Sequence, residues 1–458
     1  MATPNPFYRE PDFETLQLHA GQTPDSAEHA RAVPIYQSTS FVLENVETAR
    51  KICSLQALGN LYSRVSNPTV DVFEKRMAAL EGGMAAVATA SGQSASALAI
   101  TSLAASGDNI VSSSHLYGGT YTQFKVTFKR YGIDTKFVTS PDPADYAAAI
   151  DDKTKAIYVE SISNSDTALA DIAGLAKVRA RVFADQSILF IVDSIQVAHE
   201  HGIPLVVDNT LGMGGYMLRP ISLGADIVVH SATKWIAGHG TTMGGVIIDS
   251  GKFDWRQSTK FPMLTGPSVA YGGVKFAEIA HPVGFALQLR LEGLRDLGPC
   301  LNPTAAFMIL QGVETLSLRA QRICENALAL ANYLSSHPRV LSVTYLGLPT
   351  HPSHELAVKT LRQGSFGGML TFRVDGGFEK AAKVVDNLKL ASHLANLGDA
   401  KTLVIIPSVT IQSQLNAEEQ QSTGVFDDMI RYSVGIESIA DIIADLEGAF
   451  GVAYGTAA

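Results

Sequence analysis

Ala225-Asp-Ile-Val-Val-His-Ser-Ala-Thr-Lys234-Trp-Ile-Ala-Gly-His-Gly240 is the stretch around which the rest of the chain is organised. Ile227, Val228 and Val229 form a short apolar run of the kind a covered parallel strand shows, and the run stops at His230 and Ser231. In open α/β sheets ligands bind beyond the carboxyl ends of the strands, which is where Lys234 falls. A lysine amine becomes a useful nucleophile once partial burial or a neighbouring cation lowers its pKa, and Schiff-base chemistry is its leading use. A surface lysine among loop glycines is the competing reading of this stretch alone.

Ser231 and Thr233 add two hydroxyls within three residues of Lys234. They could hold a phosphate while the amine reaches the other end of the same molecule, a combination that suggests pyridoxal 5′-phosphate (PLP). Upstream, the apolar run Ala85–Ala90 leads into Ser91-Gly92-Gln93-Ser94-Ala95 and then a helical pattern. A strand, a glycine turn and a helix start make a phosphate cradle, although such turns also simply cap helices. Gly202-Ile-Pro-Leu-Val-Val-Asp208 ends a second apolar run in a carboxylate. An acid there could keep a pyridine nitrogen protonated, which PLP chemistry requires. No cluster of His, Glu and Asp with ligand spacing accompanies Asp208, so no metal site is expected. Tyr117 stands beside Gly118 and Gly119. It could stack on a flat ligand or pack on its own domain. Tyr62 and Arg64 read either as a solvated pair or as part of a site, and Arg431 either as a carboxylate clamp or as the salt-bridge partner of Asp427 or Glu437.

The 458 residues carry a net charge of −9, with 46% hydrophobic and 17% charged residues. That balance fits a globular enzyme with a large core and argues against nucleic acid as a partner, which needs clustered lysine and arginine. Cys53, Cys300 and Cys324 are too few and scattered for a disulfide framework or a four-cysteine metal site. No apolar stretch reaches the length of a membrane span, so a cytoplasmic protein is the expectation.

The pattern divides into an N-terminal arm, 1–75, a large α/β domain, 76–310, and a smaller C-terminal α/β domain, 311–458. The arm holds one expected helix, Val46–Leu58. Alternating elements follow: a helix over Val70–Glu81, strands at Ala85–Ala90, Ile110–Ser113, Thr135–Val138, Ala156–Glu160 and Leu205–Val207, and a helix over Ala97–Ala104. From Pro303 a long helical stretch runs to about Ser336. Val340–Tyr345, Gly367–Val374 and Thr402–Ile406 read as strands, Arg431 as the start of another, and Ile439–Phe450 as the final helix. His199 and His201 read as solvent-facing.

One segment breaks the pattern. Forty-four residues separate Glu160 from Leu205, more than a crossover needs. Ala170–Lys177 and Val197–His201 read as two pieces of one helix, interrupted by nineteen residues, 178–196, that are basic and then strongly apolar. Every valine codon begins GT and one glutamine codon ends AG, so Val178 to Gln196 has the ends of a translated, unspliced intron or a gene-model error.

Assembled, Tyr62-Ser-Arg64 with Asn67-Pro-Thr, Ser91-Gly92-Gln93, Leu116-Tyr117-Gly-Gly-Thr, Val207-Asp208-Asn-Thr and Ser231-Ala-Thr-Lys234 resemble the Cys/Met-metabolism family of PLP enzymes. Within it, Phe13-Glu-Thr-Leu-Gln-Leu-His-Ala-Gly-Gln, Lys234-Trp-Ile-Ala-Gly-His-Gly-Thr-Thr and Glu314-Thr-Leu-Ser-Leu-Arg are similar to the O-acetylhomoserine sulfhydrylases. The resemblance implies the fold type I transferase architecture, a mostly parallel central sheet flanked by helices, and a homotetramer with active sites completed by a neighbouring subunit. It implies Lys234 as the Schiff-base lysine, Asp208 on the pyridine nitrogen, Tyr117 stacked on the ring and Asn164 near its phenolic oxygen. Gly92, Gln93, Ser231 and Thr233 would hold the phosphate, joined by Tyr62 and Arg64 of a partner, and Arg431 and Asn396 would take the substrate carboxylate. The implied reaction joins O-acetylhomoserine and sulfide to give homocysteine and acetate. Cystathionine γ-synthase or γ-lyase activity, or a catalytically impaired relative, are the alternatives. Three positions depart from the family pattern: Ser165 follows Asn164 where proline is expected, Gly266 replaces an acid, and the loop 406–415 lacks a threonine-histidine pair.

Overall fold

The computed structural model describes residues 9–24, 27–164, 166–176, 197–413, 416, 418, 420 and 424–455. A seven-stranded sheet is built from β1 (Ala85–Thr89), β2 (Asn109–Ser113), β3 (Asp134–Val138), β4 (Thr154–Glu160), β5 (Leu205–Asp208), β6 (Ile227–Ser231) and β7 (Gly245–Asp249). Their order is β1-β7-β6-β5-β4-β2-β3. β7 runs antiparallel to both its neighbours, and β6, β5, β4, β2 and β3 pair in parallel. Helices cover both faces, so the inner strands are buried almost throughout and read as short apolar runs, whereas the edge strand β3 is buried only at Val138.

The expected strands are present with their ends moved by a residue or two, but β7 was not anticipated. Its five residues follow the glycine-rich turn after Lys234, and nothing in the stretch alternates. β7 presses on the turn after β1: a Cβ at Gly245 would lie 2.1 Å from the Ser91 carbonyl oxygen, so only glycine fits. The helix expected from Ala97 starts earlier and spans Gly92–Thr101. The arm helix is shorter than expected, Val46–Cys53.

The second sheet holds β8 (Val340–Thr344), β9 (Met369–Val374), β10 (Ser392–His393), β11 (Leu403–Ile405) and β12 (Met429–Ser433), in the order β10-β11-β12-β9-β8. Arg431 lies in the middle of β12, not at its start, opposite Thr371 and Ile405, because Met429 and Ile430 already pair in the ladder. The long helical stretch is two helices, Pro303–Glu314 and Leu316–Ser335, broken at Thr315. Two hydrophobic cores meet along the second helix. Leu316, Ala320 and Ile323 pack into the core around the large sheet, and Ala327, Leu330, Ala331 and Leu334 into the core of the small one.

The nineteen-residue segment 178–196 lies outside the described residues. Its flanks do not. Helix Ile172–Ala176 and the 3-10 turn His199–His201 adjoin, and the Ala198 N–H donates to the Leu175 carbonyl at 3.1 Å. His199 is not solvent-facing. Its Nε2 lies 2.8 Å from the buried Asp226 carboxylate, because this face of the turn packs against the loop that opens β6. Among the described residues no helix is long and apolar enough to cross a membrane.

Candidate active site

The carboxyl ends of β4, β5 and β6 bring Glu160, Asp208 and Ser231 to one edge of the sheet, and Lys234 follows one turn beyond β6. The turn is held from behind by Arg319. Its buried guanidinium donates to the carbonyls of Trp235 at 2.8 Å, Ile236 at 3.3 Å and Gly312 at 2.6 Å. The residue just after Lys234 is thereby fixed in position.

Lys234 Nζ donates to Asn396 Oδ1 at 2.5 Å. Burial, then the nearby Arg431 cation, lower the amine's pKa to about 8. Arg431, buried in β12, donates to Asn164 Oδ1 at 2.7 Å and to the Asn396 carbonyl at 3.3 Å. Burial lowers its own pKa to about 10, so it remains a cation. The salt-bridge reading of Arg431 is not realised: its guanidinium goes to Asn164 and Asn396 and to neither Asp427 nor Glu437, and Glu437 accepts from Thr402 instead. Lys234, Arg431, Asn164 and Asn396 thus form one connected cluster between the large sheet and the small one.

Asp208 accepts from the Thr210 N–H at 2.9 Å through Oδ1 and from the Tyr158 hydroxyl at 3.4 Å through Oδ2. Burial pushes its pKa up, opposed by these donors and by His230. An acid in this condition favours a cationic partner. Beneath it, buried His230 Nε2 lies 2.6 Å from Glu81, which also accepts from Asn209 Nδ2 at 2.8 Å. No group of His, Cys, Asp and Glu suited to a metal occurs among the described residues.

Helix Gly92–Thr101 begins against Ser231. A Cβ at Gly92 would lie 2.6 Å from that of Ser231, and the Ser91 and Ser94 side chains cap the helix reciprocally. The first amides of a helix have no acceptor within it, so this end and the Ser231 hydroxyl together suit a phosphate. The other expected phosphate residues are differently engaged. The Thr233 hydroxyl exchanges hydrogen bonds with Gly244, and Gln93 Oε1 accepts from the Thr120 hydroxyl at 3.0 Å. Tyr117 has a 44% exposed side chain at the end of the loop after β2, free to cover a flat ring. Tyr62 and Arg64 are not brought to Lys234. They line a separate cavity of about 950 Å³ with Tyr271, Arg290 and Arg295, where Arg64 lies over the Tyr62 ring and donates to the Arg295 carbonyl at 2.7 Å.

Two residues escaped the sequence reading. Glu160 carried the same signal as Asp208, a carboxylate closing an apolar strand. Arg319 was read only as the last residue of the Glu314–Arg319 stretch, and its partners, all carbonyls, left no mark of its role.

The donor set fits PLP: an amine with lowered pKa, a buried acid, an aromatic face and a helix start against a serine. The chain belongs to the Cys/Met metabolism PLP-dependent enzyme family, whose model matches residues 14–451. It is 54% identical to the homocysteine synthase of Schizosaccharomyces pombe over 96% of this chain and 98% of that protein. It is 48% identical to O-acetyl-L-homoserine sulfhydrylase 1 of Thermus thermophilus, over 95% and 99%. A crystal structure from Campylobacter jejuni that carries N′-pyridoxyl-lysine-5′-monophosphate superposes with a TM-score of 0.89 at 36% identity, over 96% of this chain and 99% of that one.

Proposed function

We propose that this chain catalyses a γ-replacement in which O-acetylhomoserine and sulfide give homocysteine and acetate. The observation that carries the reading is the cluster of Lys234, Arg431, Asn164 and Asn396 beside Asp208, in a chain whose relatives bear those names. PLP, when bound, withdraws electrons from the carbon bearing the substrate's amine and so makes the α and β protons acidic. Lys234 would hold the aldehyde end of that group and would carry the α and β protons on its Nζ. Asp208 keeps the pyridine nitrogen protonated. Tyr117 covers the ring, Asn164 lies near its phenolic oxygen, and Gly92, Gln93, Ser231 and Thr233 surround the phosphate. Arg431 clamps the substrate carboxylate with Asn396 beside it.

Tyr62 and Arg64 complete a neighbouring subunit's site in a homotetramer. Their place in a cavity whose lining does not include Lys234 supports this, as do the exposed Ile35, Val42, Val46 and Leu58 of the same arm. The decisive assay supplies purified protein and PLP with O-acetylhomoserine and sulfide, cysteine, or no second substrate. Homocysteine from the first supports the proposal; cystathionine from the second or 2-oxobutanoate from the third, without homocysteine, replaces it with a sister activity.

The division into an arm, 1–75, a large domain, 76–310, and a small domain, 311–458, belongs to the same proposal, and so does the reading of 178–196 as an insertion. What supports the latter is register. Without those nineteen residues, Ala198 stands four positions after Leu175, so its hydrogen bond becomes an ordinary α-helical one. Ile172, Leu175, Ala176 and Ala198, all 2% exposed or less, then fall at i, i+3, i+4 and i+7, the core face of a single helix. Gly202, at φ 65°, caps its end.

A further inference from the structure

We infer that Glu160 is a positioning residue that sets the ring-stacking tyrosine and the carboxylate clamp from a single point, a role that rests on the PLP reading of the site above. Glu160 closes β4 directly beside Asp208 in the β4–β5 register. It is 7% exposed, and its carboxylate spans two separate loops. Oε1 accepts from the Tyr117 N–H at 2.6 Å, and Oε2 from the Asn164 N–H at 3.2 Å. The first bond holds the residue that covers the ring. The second holds the residue whose side chain receives Arg431 at 2.7 Å. Among the described residues no cation pairs with Glu160, and the two amides are what meets its oxygens. A buried carboxylate without a cation is costly to keep. Burial and the neighbouring Asp208 push its pKa up, and the two amides oppose the shift. Glutamine could accept only one amide and would turn an NH2 toward the other; aspartate is one methylene too short to reach both.

The test is the affinity of the apoprotein for PLP and the visible circular dichroism of the bound cofactor, in the full chain. E160Q should weaken PLP binding about tenfold, about the size of one lost charge-assisted bond, and shrink the dichroic band. In a Y117A background the same substitution should cost clearly less affinity than in the wild type, since one of its two routes to the ring is already gone and only that through Asn164 remains. E160D is read by the same cycle and takes the place of E160Q if that protein does not fold. Unchanged affinity and dichroism in E160Q, or an equal penalty with and without Tyr117, would overturn the inference. Failure of the wild-type chain to bind PLP would instead overturn the reading of the site.

Discussion

Removing residues 178–196 should stabilise the protein. In the full chain, folding must bring Leu175 and Ala198 together with nineteen extra residues between them, because the two are hydrogen-bonded neighbours. The length-dependent part of loop closure, three-halves RT ln n, comes to about 2.6 kcal/mol per subunit for such a span. With an unfolding entropy of about 2.1 cal/mol/K per residue over a chain of this size, that corresponds to a rise in melting temperature of about 3 °C. The assay is differential scanning calorimetry of both forms at one scan rate, apo and PLP-loaded, with cofactor content measured alongside. A control isolates register. Deleting only 178–195 leaves one extra residue, which rotates everything beyond it by about 100° and turns Ala198 off the core face. The order expected is nineteen-residue deletion above full chain, with the eighteen-residue deletion below the nineteen. A nineteen-residue deletion that melts lower than the full chain or loses PLP would refute the reasoning. So would the two deletions melting alike. Sequencing the mature transcript addresses the gene directly: the codons for 178–196 in the dominant message would remove the intron reading.

Three further outcomes are expected. Lys234→Ala should abolish turnover and the cofactor that borohydride fixes to the wild-type chain, and retained turnover would reject the assignment. Asp208→Asn should fold normally, by melting and PLP content, yet turn over more slowly by a factor of about 10² to 10³; an unchanged rate would contradict the electron-withdrawing role. PLP capture by the apoprotein should accelerate with pH around a midpoint near 8, where the Lys234 amine loses its proton, rather than near 10.5. The accompanying stability sign is fixed: between those two values the unfolded chain binds more protons than the folded one, so apoprotein stability contributed by Lys234 rises with pH through that window, and Lys234→Ala should flatten it.

How much was legible in the sequence follows from how local each signal was. The inner strands β4, β5 and β6 announced themselves because covered parallel strands are nearly continuous apolar runs, and Asp208 and Lys234 stood where such runs end. β7 was hidden by the glycine turn before it. Glu160 ended a run just as Asp208 did, but its function lies in two amides of other loops, one of them 43 residues away. Arg431 was noticed as a clamp, yet its partners Asn164 and Asn396 are 267 and 35 positions distant, and only the packing of the small sheet against the large one selects them over Asp427 and Glu437. The pieces on either side of 178–196 were visible in the sequence, but the Ala198 to Leu175 hydrogen bond that sets them side by side required the fold.

With the roles proposed for Arg431 and Lys234, the same packing would couple substrate recognition to the base. Arg431 is the second cause of the lowered Lys234 pKa, after burial, and both side chains converge on Asn396. A substrate carboxylate arriving at Arg431 neutralises that cation, so the repulsion that keeps Lys234 deprotonated is relieved when the amine must begin to accept protons. Before substrate binds, the cation favours the neutral amine that captures an aldehyde; afterwards, its neutralisation favours the ammonium that carries a proton away from carbon. One arginine can therefore serve both halves of the proposed cycle with no movement of its own, provided the amino acid presents its carboxylate first.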